Sequence, residues 1–393
     1  MSVPDRSSEH VPWDAPVVRA VLLATAVAPL GVPLVSPALP AFRDQFLLSD
    51  AQASLLVSTY FLAGIVLSPF LGAFADRYGR RRLLVSSLVV FSLAGASIAA
   101  APPFWAVIAV RVVQGTAAAG LFVSTVTLVG DTFEGVQRNA VLGVNTAVLS
   151  AAAALYPVVG GLLVGFSWNA PFLAYLLALP VAAVAWRVLP AEVSFDQRPG
   201  YLVAMARVAT SSGSLGFYGA TFVTEFLLFG AVFTALPFLL VDQFALSAVA
   251  VGLVITAAEV VSTVAAALNG RFARRASNAT IVRAGIGVYA VGLLVVPFTT
   301  SPLGVAAGAS IAGGGVGLVL PSVDAGLTDR VPADLRAGAL SLRNSVTFLG
   351  RASGPIAFAA FAGAVGYDAL FTTAGFVAFA VVALATAVLR LRG

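Results

Sequence analysis

The sequence has 393 residues, of which 60% are hydrophobic and only 10% are charged. A soluble domain carries about 25% charged residues, so this chain lacks more than half of the charge expected for a water-soluble protein of its length. The composition therefore excludes an ordinary soluble enzyme and indicates a protein embedded in the lipid bilayer.

The chain has no cysteine and a single histidine, His10, which lies in a polar N-terminal segment. These counts exclude cysteine nucleophiles, thiolate metal sites and histidine-based triads, so we expect no metal, no cofactor and no enzymatic activity. The formal net charge is +5, and all 22 basic residues are arginines. They recur in short clusters between apolar runs, as in the cytoplasmic loops of membrane proteins, so we expect no nucleic-acid partner. Without lysine, the chain cannot form the phosphate-binding loop of an ATP-driven pump.

Twelve apolar runs are long enough to cross a bilayer as helices, and we number them spans 1 to 12. They cover residues 16–42, 51–75, 82–101, 104–130, 138–166, 169–189, 214–241, 248–270, 280–299, 303–328, 336–364 and 368–390. The first run is too long for the core of a signal peptide, so we expect it to remain in the mature protein. The predicted fold class is an all-α membrane protein with 12 transmembrane helices.

The arginines are distributed unequally among the connections. The gaps after the odd-numbered spans contain one arginine, Arg43, whereas the termini and the gaps after the even-numbered spans contain 18. Because basic loops stay in the cytoplasm, both termini are predicted to be cytoplasmic, with the protein in the plasma membrane.

The two halves of the chain resemble each other at a fixed offset of 198 residues. Asp44-Gln45-Phe46 recurs as Asp242-Gln243-Phe244, and Leu48-Ser49 recurs as Leu246-Ser247. Further matches at this offset pair Gly72 with Gly270, Asp131 with Asp329, Arg138 with Arg336 and Pro157 with Pro355. The repeat predicts two pseudo-symmetric six-helix bundles, 1–189 and 214–393, joined by a cytoplasmic linker, 190–213. Parallel repeats of this kind place a substrate site between the halves.

The most specific short motif follows span 2 and reads GAFADRYGRRRLL over residues 72–84. It resembles the loop signature of the major facilitator superfamily, G-x-L-A-D-R-x-G-R-R-x-x-L, with Phe74 in place of the leucine. The resemblance implies a conformational gate formed by Gly72, Asp76, Arg77, Gly79, Arg80, Arg81 and Asp131.

Two roles within this gate follow from the resemblance. Asp76 would close the cytoplasmic side of an outward-open state by capping the start of span 11 near Arg336. Arg80 would pair with Asp131 at the end of span 4. Arg82 lies outside the motif, and we expect it only to fix the topology.

Two further segments are similar to motifs of the same superfamily. Arg111 and Gln114 belong to an R-x-x-Q-G motif in span 4. In span 5, Pro157, Gly160 and Gly161 match the end of the antiporter motif G-P-x-x-G-G, whereas Tyr156 stands where that motif has glycine. The resemblance covers essentially the whole chain and implies a secondary transporter related to the 12-helix drug:proton antiporters.

Charged residues inside the spans are candidates for ion coupling because they are costly in lipid. At a rise of 1.5 Å per residue, Glu225, Glu259 and Arg351 lie about 16 Å deep, near the midplane. Further candidates are Arg111 in the outer part of span 4 and Asp324 and Arg343 in the inner leaflet.

We expect Glu225 to carry the coupling proton, with Glu259 as the second candidate. The alternative for Glu225 is a static ion pair with Arg351 or another arginine. The resemblance implies that spans 4, 7 and 10 line the cavity, which would place Arg111, Glu225 and Asp324 on its wall.

An apolar cavity with one or two acids suits lipophilic cargo, including cations, whereas a sugar site would need more amide and hydroxyl groups. We therefore predict proton-coupled efflux of small, largely apolar compounds by a monomer that works by alternating access. The alternative is a facilitator or symporter that imports a metabolite such as a sugar or organic acid. An intramembrane enzyme would need a dyad or metal set at one depth, and the sequence offers neither.

Overall fold

The computed structural model describes residues 11–190, 212–331 and 336–392, with the side chains of 68–69, 71–78, 212–213, 337 and 388–392 left aside. Within these ranges the chain is helical and has no strand. The spans cover Pro16–Gln45, Asp50–Tyr78, Arg80–Ala100, Phe104–Thr132, Gly135–Val164, Ala170–Val188, Ser214–Phe244, Ala248–Ala273, Asn278–Phe298, Pro302–Arg330, Arg336–Val365 and Tyr367–Arg392. All twelve predicted spans are confirmed, with ends that shift by a few residues.

Local sequence signals explain several of the helix ends. Ser247, Ser277 and Ser301 precede spans 8, 9 and 10, and each side chain accepts a hydrogen bond from a backbone N–H in the first turn. Such caps satisfy donors that have no partner within the helix. Gly79 separates spans 2 and 3 with a φ of 91°, a left-handed conformation that favours glycine.

Spans 1 and 7, which are repeat mates, both leave α-helical geometry near their middle. Span 1 contains 3-10 turns at Ala28–Gly31 and Ser36–Ala38, and its prolines remove backbone donors there. Span 7 contains a π-helical segment, Leu228–Ala235. At the offset of 198 residues, Ser36 corresponds to Thr234, so the irregular segments occupy equivalent places in the two halves.

The most extensive contacts between the halves are made by two pairs of helices: span 2 packs against span 11, and span 5 packs against span 8. Because the number of spans is even, span 1 begins and span 12 ends at the same end of the bundle. We call the opposite end, which carries the connections after the odd-numbered spans, the distal end. The contacts between the halves described below lie between this end and the middle of the bundle.

Candidate functional site

A buried ion pair joins span 7 to span 11 near the middle of the bundle. Arg351 donates two hydrogen bonds to Glu225, from Nε to Oε2 at 2.9 Å and from Nη2 to Oε1 at 3.0 Å. Glu225 has no exposed surface, whereas the Arg351 side chain is 30% exposed. A bidentate, charge-assisted pair of this kind is strong and geometrically specific. The ion pair that the sequence left as the alternative for Glu225 is thus present.

Arg351 also contacts the other half of the protein. Its guanidinium lies 4.8 Å from the ring centroid of Phe229 in span 7 and 5.6 Å from that of Phe61 in span 2. Phe61 packs in turn against Phe229 and Phe348, with centroid distances of 5.0 and 6.0 Å. The Glu225–Arg351 pair therefore lies where the two halves meet.

Glu259 in span 8 differs from Glu225 because no arginine among the described residues forms an ion pair with it. Its side chain is partly exposed, and among the described residues it forms neither an ion pair nor a side-chain hydrogen bond. It nevertheless interacts electrostatically with Glu225 and Arg351. The site thus holds two acids and one arginine.

Tyr289 in span 9 adds a polar group to this site. Its side chain is fully buried, and its hydroxyl has no hydrogen-bond partner in the described part of the chain. It interacts electrostatically with both Glu225 and Glu259. A buried hydroxyl without a partner is costly, so a conformational change that gave this group a partner would be favoured.

A second ion pair joins spans 10 and 11. It lies farther from the distal end than the Glu225–Arg351 pair. Arg343 Nε lies 3.0 Å from Asp324 Oδ1, and its Nη2 donates to Oδ2 at 3.3 Å. Asp324 is partly exposed and interacts electrostatically with Glu225. Arg343 and Arg351 therefore each have one acid as a partner, whereas Glu259 has no such pair among the described residues.

Arg111 does not line a cavity, which corrects the expectation from the resemblance. Its side chain has no exposed surface and lies inside the first half, 4.6 Å from the ring centroid of Tyr60. Its acceptors are the carbonyl oxygens of Leu56 and Gly31 at 2.7 and 2.8 Å, Gln114 Oε1 at 2.7 Å and the Tyr175 hydroxyl at 3.2 Å. The interruption of span 1 supplies one of these carbonyls, so neutral acceptors hold the charge.

The motif in span 5 lies at close helix contacts. A Cβ added at Gly160 would meet the carbonyl oxygen of Leu34 in span 1, and one at Gly161 would meet the carbonyl oxygen of Ala248 in span 8. A Cβ added at Gly252 of span 8 would likewise meet the carbonyl oxygen of Pro157. Tyr156, the residue that departs from the antiporter pattern, donates a 2.7 Å hydrogen bond to the carbonyl of Ala26 in span 1. The motif thus holds span 5 against span 1 and against the other half.

The predicted gate is described in part. Arg80 forms the expected ion pair with Asp131, with Nε 2.5 Å from Oδ2. Arg81 lies 4.1 Å from the ring centroid of Trp186 in span 6. The side chains at Gly72, Asp76 and Arg77 lie outside the described residues, so the capping role of Asp76 stays a prediction.

One cluster was missed by the sequence reasoning, which used Arg43 only to count charges. At the distal end, Arg43 forms ion pairs with Asp44, Asp50 and Asp242. The signal was present in the repeat, because the aspartate recurs in both halves while the arginine before it does not.

Comparison with known proteins agrees with this architecture. The family model of the Major Facilitator Superfamily matches residues 21–204 and 218–393. The chain is 26% identical to a bacillibactin exporter of Bacillus subtilis (strain 168), covering 85% of this chain and 87% of that protein. It is 28% identical to the class C tetracycline resistance protein of Escherichia coli, covering 83% and 85%.

A solved structure is also similar in fold. The crystal structure of a bacterial homologue of the human lysosomal transporter Spinster, in an inward-facing and unoccupied conformation, aligns with a TM-score of 0.78 at 15% identity. The alignment covers 94% of this chain and 95% of that chain. With the family match, the twelve spans and the repeated halves, the chain belongs to the major facilitator superfamily.

Proposed function

We propose that this protein is a proton-coupled exporter of small, largely apolar compounds that works by alternating access in the plasma membrane. Relatives that match most of its length are an exporter and a drug-resistance protein. The arginine distribution supports cytoplasmic termini, which makes the distal end extracellular.

The contacts between the halves favour an inward-open state. The Arg43–Asp242 pair and a hydrogen bond from Ser36 Oγ to the carbonyl of Phe233, 2.6 Å long, close the distal end. Nearer the midplane, Thr256 Oγ1 of span 8 donates to the carbonyl of Ala154 in span 5 at 2.7 Å. In an inward-open transporter, water and cargo reach the central charges from the cytoplasm.

The proposal of proton coupling rests on Glu259, an acid near the midplane that forms no ion pair in the part of the chain that the structure describes. An ionised acid near the midplane is costly without a partner, and a bound proton or a cationic cargo would relieve that cost. Glu225 is the weaker candidate because Arg351 already stabilises its charged form. The ranking expected from sequence is therefore reversed in this proposal.

Export then follows if the proton and the cargo compete at Glu259. In the inward-open state, cargo enters the cavity as Glu259 releases its proton to the cytoplasm. In the outward-open state, an external proton binds Glu259 and favours cargo release, and the protonated protein returns. Arg351 and Glu225 act electrostatically on Glu259. Tyr289 interacts with both acids. The gate residue Asp76 would stabilise the outward-open state.

Transport into inverted membrane vesicles tests this function. The vesicles receive a panel of lipophilic cations, sugars and organic acids, with and without an imposed pH gradient, acidic inside. We expect uptake of lipophilic compounds that depends on the gradient. Glu259→Gln should abolish that dependence while cargo–cargo exchange continues, because exchange needs no proton movement. Uptake that ignores the gradient, or gradient-dependent uptake by Glu259→Gln, would contradict the proposal.

A further inference from the structure

We propose that Arg43 locks the two halves together at the extracellular end through its ion pair with Asp242, and that it releases Asp242 when this end opens. The inference rests on alternating access as proposed above. It assigns a gating role to residues outside the loop motif after span 2 and outside the central charges.

The geometry places one arginine between two repeat mates. Arg43 Nη1 and Nη2 donate to the two carboxylate oxygens of Asp242, each at 2.9 Å, and Nε donates to Asp44 Oδ1 at 2.9 Å. Asp44 and Asp242 are equivalent at the offset of 198 residues. At the position equivalent to Arg43, the second half has Val241, so a single guanidinium serves both acids.

The two aspartates differ in burial and in the half to which they belong. Side-chain exposure is 17% for Arg43, 34% for Asp242 and 65% for Asp44. Exposed ion pairs contribute little, whereas partly buried bidentate pairs contribute more, so the contact across the halves is the stronger one. Arg43 also lies 5.4 Å from the ring centroid of Phe238 in span 7, which adds contact with the second half.

A second contact across the halves extends from the same arginine. Arg43 Nη1 donates to Asp50 Oδ1 at 2.8 Å, and the hydroxyl of Tyr367 donates to the other oxygen of Asp50. Asp50 begins span 2, and Tyr367 begins span 12. Two residues of the first half, Arg43 and Asp50, therefore contact each other, and each also contacts the second half. The series of contacts runs Asp242–Arg43–Asp50–Tyr367.

This arrangement can open reversibly. Asp44 and Asp50 belong to the same half as Arg43, so the arginine keeps two anionic partners when the halves separate. The polar contacts that Arg43 and Asp50 lose are those with Asp242 and Tyr367, and both of these groups become hydrated at the surface. Opening thus leaves no charge buried without a partner, which is the costly outcome for a broken ion pair.

Cysteine accessibility tests the lock without cargo or a pH gradient. The chain has no cysteine, so Thr234→Cys supplies a single reactive thiol. Thr234 lies fully buried in span 7, and its hydroxyl has no hydrogen-bond partner among the described residues. A membrane-impermeant maleimide added outside whole cells should label this thiol only when the extracellular end opens.

The informative comparison makes the same substitution at both repeat mates. In the Thr234→Cys background, Asp242→Asn should raise the labelling rate about tenfold, the change expected for a loss of about 1.4 kcal/mol from the closed state. Asp44→Asn should leave the rate within about twofold, because its contact does not cross the halves. Tyr367→Phe should raise the rate by a smaller factor, about threefold, because it removes one neutral donor.

Equal rates for Asp242→Asn and Asp44→Asn would overturn the lock. If Asp242→Asn does not reach the membrane, Tyr367→Phe decides, and a rate unchanged from the parent overturns the proposal. Faster labelling of Asp242→Asn combined with uptake that ignores a pH gradient keeps the lock and rejects proton-coupled export. Gradient-driven uptake combined with unchanged labelling of Asp242→Asn keeps proton-coupled export and rejects the lock.

Discussion

The guanidinium of Arg111 donates a 2.8 Å hydrogen bond to the carbonyl oxygen of Gly31, at the point where span 1 leaves α-helical geometry. The Tyr175 hydroxyl donates to the same oxygen at 3.2 Å. A broken helix within a membrane must satisfy its freed backbone groups from neighbouring side chains. Arg111 therefore supports the interruption in span 1 from inside the first half.

Arg111→Met should destabilise the protein, because it leaves several buried acceptors without donors at a cost of about 1–3 kcal/mol each. Thermal unfolding in detergent should show a large drop in melting temperature. The melting temperature of Arg111→Lys should fall between those of the parent and Arg111→Met, since an ammonium cannot reproduce the planar fork of the guanidinium. Arg19→Met is the control, because Arg19 is exposed and its contacts are with the exposed Asp14 and the carbonyl oxygen of Trp13. An Arg111→Met protein that melts with the parent would contradict this role.

In a double-mutant cycle on the Glu225–Arg351 pair, we expect the two single substitutions to lower the free energy of unfolding by different amounts. Arg351→Gln leaves the fully buried Glu225 carboxylate without its partner, which should cost about 3–5 kcal/mol. Glu225→Gln should cost less, because Arg351 retains exposed surface and the neighbouring Glu259. The double variant should be more stable than Arg351→Gln alone. Unfolding in detergent measures all three, and strictly additive effects would show that the pair does not couple energetically.

Gly161 tests the contact between spans 5 and 8. Gly161→Ala places a methyl group against the backbone of span 8, so it should force the halves apart and lower the transport rate severalfold. Gly143→Ala is the matched control in the same helix, because a Cβ there meets nothing within 4 Å. This control should be neutral or gain up to about 1 kcal/mol from helix propensity. Equal transport by the two variants would show that close approach at Gly161 is dispensable.

The fold could be predicted from sequence because its signals are long and repeated. Twelve apolar runs and matches such as Asp44 with Asp242 each depend on many residues or on a fixed spacing. Partner choice among the charges could not be predicted in the same way. Glu225 and Glu259 lie at similar depth in adjacent spans, and only the packing of span 11 decides that Arg351 pairs with Glu225.

Arg111 shows a second limit of sequence reasoning. An intramembrane charge suggests a cavity, because water is the usual means of satisfying it. Here the prolines of span 1 expose a backbone carbonyl that serves instead, and the position of that carbonyl depends on packing between spans 1, 2, 4 and 6. Arg43 could not be recognised from sequence for a different reason. One arginine among the distal connections looks like an exception in a charge count, and its three aspartate partners become apparent only in the folded protein.

The ion pair between Arg80 and Asp131 predicts which arginines of the loop motif matter. Arg80→Gln should slow transport severalfold while insertion and stability change little, because a partly exposed pair contributes about 1 kcal/mol or less to folding. Arg82→Gln is the matched control two residues away, since Arg82 is exposed and has no ion-pair partner in the described part of the chain. Asp76→Asn should slow transport as Arg80→Gln does, through loss of the predicted cap on span 11. Transport in proteoliposomes, normalised to the amount inserted, measures all three. If Arg80→Gln and Arg82→Gln transport alike, the arginines only fix topology and the gate does not depend on the pair.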